Sequence, residues 1–502
     1  MPLHAGRMFE ASFLRGETWG FPGEPVEHVE THAAHVFLAG DRAFKIKKAV
    51  KLPYLDFSDL EKRRSALAAE FEINRIFAPD LYLRTAEIMG EPVLVMRRFP
   101  AQALLSWQMS HGEIDAVLAG SLASMAADAH AQAPRREAGG AGIMMGLGAQ
   151  LSSAFIDSPD IFRPAETLEF HALCESALKA GKPLLNVRGE RGLVRRCHGD
   201  MHSGNIIVVE GTPQLFDAIE FSEKIAIIDV LYDLAFLLMD LWTHDERRAA
   251  NIVLNRYLHL RRAEEDLSGL ALLPLFLSTR AGVRALVTAD LAHELALKNS
   301  MQARGQALDW FRSSIGFLKA APPVLVCIGG LSGTGKTTVA ASLAPHLGSP
   351  PGALHVRSDV ERKVLAGIAE TDTLPPEGYG REASFAVYAA CLDRAERALR
   401  AGHCVVFDAV FARPDERRVA AEIARVARAH FAGIWLEAPV EVLKSRVSAR
   451  RGDASDATPE VVERQLHYEL GRLDWPRVDA SGLPEASLAR VWASLPFRAS
   501  GV

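Results

Sequence analysis

The sequence lacks the markers of several protein classes. Its five cysteines (Cys174, Cys197, Cys327, Cys391 and Cys404) show no Cys-x-x-Cys spacing, which argues against a cysteine zinc site or a disulfide framework and predicts reduced thiols. It also lacks a charge excess. Lys and Arg number 57 against 62 Asp and Glu, a formal net charge of -5, so the chain has no general attraction for nucleic acid or anionic membrane. A local basic groove would not show in that sum. No uncharged stretch approaches membrane-spanning length, and Met1 to Arg7 has no apolar signal core; the expectation is a cytoplasmic protein without a membrane partner. There is no internal repeat, no low-complexity tract and no pattern that sets an oligomeric state. What is present is 49% hydrophobic and 24% charged, as in a globular protein. At 502 residues the chain exceeds one ordinary core and predicts roughly two to four domains.

The most specific local pattern is Gly330-Leu331-Ser332-Gly333-Thr334-Gly335-Lys336-Thr337, preceded by the apolar run Val324 to Ile328 and followed by helix-prone Thr338 to Ala344. Glycines at these places let the backbone curl so that successive N–H groups face a polyphosphate, with Lys336 reaching the β/γ-phosphates and the Thr337 hydroxyl meeting Mg²⁺. The bare pattern arises by chance in roughly a few per cent of chains this long, and the flanking strand and helix make chance much rarer. A nucleoside triphosphate is implied, in a motif that begins only past residue 320.

Upstream, Val36 to Leu38 and Ala43 to Lys47 flank Gly40-Asp41, a hairpin signal. Helical periodicity covers Leu60 to Phe77, with Leu67, Phe71 and Ile76 expected on one face and Pro79 as terminator. Pro92 to Met96 reads as a strand, residues 101 to 190 as mostly helix broken by a loop at Gly139 to Gly142, and residues 197 to 221 as β-rich. Helices follow to Leu318. Ala320-Ala321-Pro322-Pro323 is the expected junction, giving domains 1–320 and 321–502. Beyond it, strands at Val405 to Phe407 and Gly433 to Leu436 alternate with helices, the pattern of a parallel α/β sheet.

His198-Gly199-Asp200-Met201-His202-Ser203-Gly204-Asn205 sets an Asp five positions before an Asn, ahead of the strand Ile206 to Val209. That is the spacing of a kinase catalytic loop, with Asp200 accepting the proton of an attacking hydroxyl and Asn205 holding Mg²⁺. Taken alone, an Asp and an Asn in a turn are more often structural. A second carboxylate is needed for the metal, and Phe216 to Phe221, read as a strand, offers Glu220 and Asp217. Lys45 on a strand and Glu70 on the next helix suit a phosphate-gripping lysine held by an ion pair. Lys47 and Glu72 compete with them, because strand alternation puts Lys47 on the same face as Lys45.

With these residues in place, about 26 to 290 resembles the aminoglycoside phosphotransferase family, a branch of the protein-kinase-like fold. The strongest matches are His198-Gly199-Asp200 through Asn205, Ile219-Glu220-Phe221 and Tyr232-Asp233-Leu234-Ala235. The resemblance implies an α+β domain with a small β lobe over a helical lobe, ATP with its adenine held by backbone near Met96 to Phe99, Asp200 as base, Asn205 as metal ligand and Asp233 as anchor of the catalytic loop. Two departures stand out: no glycine-rich loop lies between Val26 and Phe37, and the usual metal-binding aspartate is Glu220. The resemblance does not fix an antibiotic as acceptor, since related folds phosphorylate sugars, choline and amino alcohols.

In the second half, Ser358-Asp359 with Arg362 follows the expected second strand, where acceptors sit in open α/β folds. Asp359 there can deprotonate a hydroxyl and Arg362 can bind an acidic group on the acceptor; the plainer reading is a helix N-cap. Asp408 after Val405 to Phe407 is a carboxylate of Walker B type for Mg²⁺, and Lys444 to Asp453 is a basic helix suited to a lid, with Arg446 and Arg450 toward the phosphates. Lys336 counts among the catalytic residues, and Leu331, Ser332, Thr334 and Thr338 complete the nucleotide-binding set. About 323 to 475 resembles P-loop kinases of the gluconate kinase, zeta-toxin and polynucleotide kinase type, an α/β P-loop domain with a parallel sheet. The whole chain is similar to bacterial two-domain proteins called bifunctional aminoglycoside phosphotransferase/ATP-binding proteins. The leading expectation is two Mg·ATP sites phosphorylating small hydroxyl acceptors, a polyol or sugar derivative in the second half. The alternatives are one half regulating the other, with the first half the better candidate for lost catalysis, or a polynucleotide 5′-hydroxyl kinase in the second half, which the negative charge disfavours.

Overall fold

The computed structural model describes residues 12–31, 33–52, 55–137, 139–220, 222–294, 297–319, 321–450 and 452–497. Expectations resting on Met1 to Arg7, Phe221, Ala320 and Arg451 lie outside the described residues. Packing groups the chain into two compact units, Met1–Ile143 with Leu185–Asp240, and Met144–Leu184 with Leu241–Val502. Helices between residues 241 and 318 thus pack with the P-loop half, so the packing units are not the two sequence segments on either side of 320.

The first unit opens with strands β1 (Glu27–Glu30), β2 (Ala34–Ala39) and β3 (Arg42–Lys47), then helix α1 (Leu60–Phe77) and strands β4 (Tyr82–Ile88) and β5 (Glu91–Arg97). The five strands form one antiparallel sheet in the order β1-β2-β3-β5-β4. Gly40 and Asp41 make the two-residue turn between β2 and β3, with Gly40 at φ 53°; a Cβ there would lie 2.3 Å from the Phe21 ring. One sheet face buries Phe37, Phe44, Ile46, Val93 and Val95 against Phe13 and Trp19, whose ring stacks on Phe44 at 4.5 Å. Burial of each large apolar side chain stabilises by about 1.5–3 kcal/mol. Alternation then sends Lys45 and Lys47 to the other face, toward α1.

Asp59 caps α1 by accepting the Lys62 N–H at 2.9 Å, and the helix ends at Phe77, before Ala78-Pro79. Its buried residues are Arg63, Leu67, Glu70 and Asn74. The expected face is therefore corrected at Ile76, which is 59% exposed: the inner face carries polar groups that a hydrophobic pattern passes over. The glycine loop is also corrected, since a helix begins at Gly140 and runs to Ile156. A Cβ on Gly140 would meet the Leu185 carbonyl oxygen at 2.5 Å, so the glycine serves close packing within a helix.

The loop of residues 197–205 is framed by helix α2 (Ala116–Gln132), strand β6 (Val194–Arg196), the hairpin of β7 (Ile206–Val209) and β8 (Thr212–Leu215), strand β9 (Ile227–Asp229) paired with β6, and helix α3 (Val230–Thr243). The strand expected over Phe216 to Phe221 is corrected in its described part, Phe216 to Glu220: β8 stops at Leu215, and Asp217 at φ 59° cannot continue an extended strand.

The second unit contains helices α4 (Arg247–Arg261), α5 (Leu273–Glu294) and α6 (Leu297–Leu318), then β10 (Val324–Gly330), α7 (Lys336–Leu343), β11 (Leu354–Arg357), α8 (Ser358–Leu365), α9 (Arg381–Arg400), β12 (Val405–Asp408), β13 (His430–Glu437), α10 (Val440–Ala449), α11 (Pro459–Leu466), β14 (Arg477–Asp479) and α12 (Pro484–Ser494). The sheet is parallel throughout, in the order β11-β12-β10-β13-β14. Every residue of central β10 is buried, as a strand covered on both faces requires. Val326, Ile328, Val339, Leu343, Val406, Ile434 and Val491 share its core. The stretch Glu264–His293 is long and apolar enough to cross a membrane by length and composition, but 67% of its apolar window is buried within the fold. All five cysteines are buried, and none is in a disulfide.

Candidate functional site

Two separate constellations assemble, one in each unit. In the first, the loop after β6 is fixed by backbone bonds to side chains. The Asp233 carboxylate near the start of α3 accepts the N–H groups of His198 (3.2 Å) and Gly199 (3.0 Å), and Asp240 accepts the N–H of Ser203 at 2.8 Å. Asp233 thus stands where the kinase-like resemblance puts an anchor. With His130 and Cys197 it forms the group of three buried ligand-type side chains among the described residues, but its carboxylate is engaged by the loop. Asn205 donates its Nδ2 to the Asp200 carboxylate at 2.8 Å and to the Asp200 carbonyl at 3.0 Å, so the Asp and Asn of the motif do meet.

Beside them is a cluster of five charges. Glu70, fully buried, bridges two lysines: its Oε1 lies 2.7 Å from Lys45 Nζ and its Oε2 2.7 Å from Lys47 Nζ, the latter off the hydrogen-bonding direction. Lys45 also donates to Asp217 at 2.6 Å, and Lys47 to Glu220. Glu70 thus contacts both candidate lysines, while Glu72 is exposed. Burial opposes the charge on Lys45, but Asp217, Glu70 and Glu220 together hold its ammonium well above the ordinary range. The two candidate metal acids differ. Burial works to raise the Asp217 carboxyl, yet neighbouring Lys45 keeps it below its usual value. Burial and then Glu70 push Glu220 upward. The Asp217 side chain is 42% exposed and that of Glu220 only 6%. The turn that presents Asp217 is held by side chains: its N–H donates to the Tyr82 hydroxyl (2.9 Å) and the Ala218 N–H to Asn74 Oδ1 (2.8 Å). Neither Tyr82 nor Asn74 was legible as part of a site, because each lies over 100 residues away in sequence.

In the second unit, Gly330, Gly333 and Gly335 have φ of 140°, 87° and 87°, conformations side chains avoid. Cβ atoms on Gly330 and Gly333 would lie 2.6 Å from the carbonyl oxygens of Leu436 and Leu443, so the loop is built for backbone contact. Thr334 Oγ1 donates to the Leu331 carbonyl at 2.8 Å and Lys336 Nζ to the same oxygen at 3.0 Å. Ser332 N–H donates to Gln465 Oε1 at 2.7 Å, a partner from α11 with no sequence signal. Thr337 is half-buried and Thr338 exposed, at the start of α7. Burial lowers the Lys336 ammonium, opposed by Asp408 and Asp359 and reinforced by Arg450, which places all four charges within electrostatic reach. Asp408 is 3% exposed and accepts from His355 Nε2 at 2.8 Å; burial would raise its carboxyl, but His355, Arg357 and Lys336 hold it below the ordinary value. Arg357 occupies the N-cap of α8, so Ser358 and Asp359 lie inside the first turn and do not cap it. Arg362 donates to the Gly378 carbonyl at 2.8 Å and lies over the Tyr379 ring at 5.1 Å. The Arg446 guanidinium is occupied by the carbonyls of Ala480 (2.8 Å), Ser481 (3.2 Å) and Gly482 (2.9 Å), and reaches Gly333 at 3.4 Å. Arg450 lies near Asp453, 3.8 Å away.

Residues 41–273 match the phosphotransferase enzyme family, and residues 325–470 match the AAA domain family. The chain joins two kinase-type segments. An uncharacterized protein of Mycobacterium tuberculosis and one of Mycobacterium bovis are each 29% identical to it over 492 residues, 93% of this chain and 95% of the relative. Among solved structures, aminoglycoside 2′-phosphotransferase-IIIa in its GDP complex is 16% identical, covering 62% of this chain and 98% of that one at a TM-score of 0.41. A choline/ethanolamine kinase family protein from Mesorhizobium loti is 15% identical (60% and 93% covered, TM-score 0.37), and a gluconokinase from Sinorhizobium meliloti is 21% identical (34% and 95% covered, TM-score 0.24).

Proposed function

We propose that the chain is an ATP-dependent phosphotransferase with two independent Mg·ATP sites, each passing a γ-phosphate to a hydroxyl of a small metabolite. What supports the reading is the coexistence of two unrelated side-chain arrangements suited to phosphate: Asp200, Asn205 and Asp217 beside the Lys45–Glu70 pair, and Lys336 of the P-loop beside Asp408 and Asp359. The donor sets suit Mg²⁺, which takes a few protein oxygens together with phosphate oxygens. Bound there, it neutralises charge on the transferring phosphoryl group.

In the first site Lys45, kept charged by Glu70 and Asp217, grips phosphate oxygens. Asp217 and Asn205 are the proposed metal ligands; Glu220, enclosed and paired with Lys47, holds the lysine pair in place. In the second, the P-loop N–H groups and Lys336 hold the β/γ-phosphates, Thr337 and Asp408 face the cation, Arg450 rather than Arg446 closes on the phosphates, and Arg362 meets the acceptor. Each transfer follows one balance. The acceptor hydroxyl gives its proton to Asp200 or Asp359, its oxygen forms the new bond to γ-phosphorus, and the β–γ bridging P–O bond breaks to release ADP.

A screen of small polyols, sugars and amino alcohols with the intact chain and γ-labelled ATP tests this. Asp200→Asn and Asp359→Asn should each abolish transfer to a different acceptor while sparing nucleotide binding. Labelling of oligonucleotide 5′ ends that Asp359→Asn removes, without any small acceptor, would replace the metabolite reading for the second half.

A further inference from the structure

β11 is an edge strand of the parallel sheet, and an edge leaves unpaired backbone N–H and C=O groups. Here side chains of α4 take up one of them, the His355 N–H, and two carbonyls just before the strand. Asn251, 4% exposed, donates its Nδ2 to the carbonyls of Pro351 and Ala353, both at 3.0 Å. Asn255 donates to the Ala353 carbonyl at 3.2 Å and accepts the His355 N–H at 2.7 Å through Oδ1, so one amide does the work of a neighbouring strand. The next link is catalytic in location, because the ring of that same His355 holds Asp408 Oδ2 at 2.8 Å. Further contacts clamp α4 in place. Arg262, in the left-handed conformation at its C-terminus (φ 50°), lies 2.7 and 2.9 Å from the two oxygens of Glu361, two positions beyond Asp359, and Arg256 and His259 each reach Glu370 at 3.0 Å. Helix α4 falls within the segment matched by the phosphotransferase family and not within that of the AAA domain.

We infer that Asn255 is a positioning residue of the P-loop site. It fixes the backbone of His355, and thereby the His355 ring against Asp408, so that a helix of the kinase-like segment sets the cation-facing carboxylate of the P-loop half. The inference rests on the proposed role of Asp408. A P-loop half cut at residue 321 is then incomplete, lacking the amides that close the β11 edge.

The test is calorimetric titration of ADP into the intact chain over a series of Mg²⁺ concentrations, taking the component lost in Lys336→Ala as the P-loop site. Outer-shell partners of a metal ligand change metal affinity by about 10–100-fold, so His355→Phe should raise the Mg²⁺ requirement of that component about tenfold, and Asn255→Ala, one link further out, about three- to tenfold. ADP affinity without Mg²⁺ should stay within about twofold in both, and the double variant should be no worse than His355→Phe alone, because both act through one ring. Should Asn255→Ala fail to fold, Asn255→Ser is read in the same way. A folded Asn255 variant with the wild-type Mg²⁺ requirement, or additive effects in the double variant, would overturn the inference. Absence of any Lys336-dependent component in the wild-type chain would overturn the phosphotransfer reading itself.

Discussion

Replacing Glu70 by Ala should strongly destabilise the first unit. Glu70 is fully buried and serves two ammonium groups at 2.7 Å each, on lysines whose side chains are only 12% and 5% exposed. Its loss leaves Lys45 and Lys47 with Asp217 and Glu220 alone. Removing one partner of a buried ion pair costs about 3–5 kcal/mol, and a carboxylate shared by two cations belongs at the upper end. In a unit of about 200 residues, each kcal/mol shifts the melting temperature by about 2–4 °C, giving an expected drop of about 6–20 °C. Calorimetric melting of the intact chain would measure it. Hydrogen exchange would assign it, with peptides of α1, β3 and β5 losing protection while those of β10 and α7 provide the reference. Glu70→Ala combined with Lys47→Met should recover part of the loss, since deleting both partners removes the unpaired charge. A Glu70→Ala shift below about 2 °C, in a unit where about 2–4 °C corresponds to one kcal/mol, would refute Glu70 as the shared counter-ion.

The metal assignment predicts that Asp217→Asn sharply weakens Mg²⁺-dependent nucleotide binding in the first half, read by calorimetry in a Lys336→Ala background, whereas Glu220→Gln mainly lowers thermal stability; the reverse pattern would return the metal to Glu220. Gly333→Ala, which puts a methyl group 2.6 Å from the Leu443 carbonyl oxygen at a φ of 87°, should abolish ADP binding at the P-loop and leave the other site intact. His403 is buried and burial pushes its imidazole down to about 4, so the unfolded chain, titrating near 6.5, binds the extra proton. Stability from this group is therefore full above about pH 6.5 and lost as pH falls toward about 4, on the order of 3 kcal/mol; His403→Phe should flatten the urea midpoint across that window, and an unchanged slope would count against it.

The parts of the fold legible in the sequence were those specified locally. The P-loop glycines carry their own conformational demand, and the Asp200–Asn205 spacing spans one turn whose two ends hydrogen-bond to each other. The Gly40–Asp41 hairpin and the end of α1 before Pro79 are equally local. Strand alternation could not separate Lys45 from Lys47 because both point the same way, and a carboxylate has an oxygen for each. Phe216 to Glu220 is apolar enough to look like a strand, but Tyr82 and Asn74 bond its backbone and turn it; nothing near Asp217 in sequence reports that. Arg446 reads as a lid charge by composition, whereas its partners are backbone carbonyls that leave no trace in residue type. Most hidden was α4, whose asparagines have a purpose only beside a strand edge about 100 residues later.

The central claim is that one chain holds two nucleotide sites of unrelated construction. Its most direct test is calorimetric titration of ADP with saturating Mg²⁺ into the intact wild-type chain and into Lys336→Ala. The account predicts a stoichiometry of two for the wild type and one for the variant, the remaining site being lost on further replacement of Asp217 by Asn. A wild-type stoichiometry of one, abolished by Lys336→Ala, would contradict it and reduce the first half to a kinase-shaped scaffold.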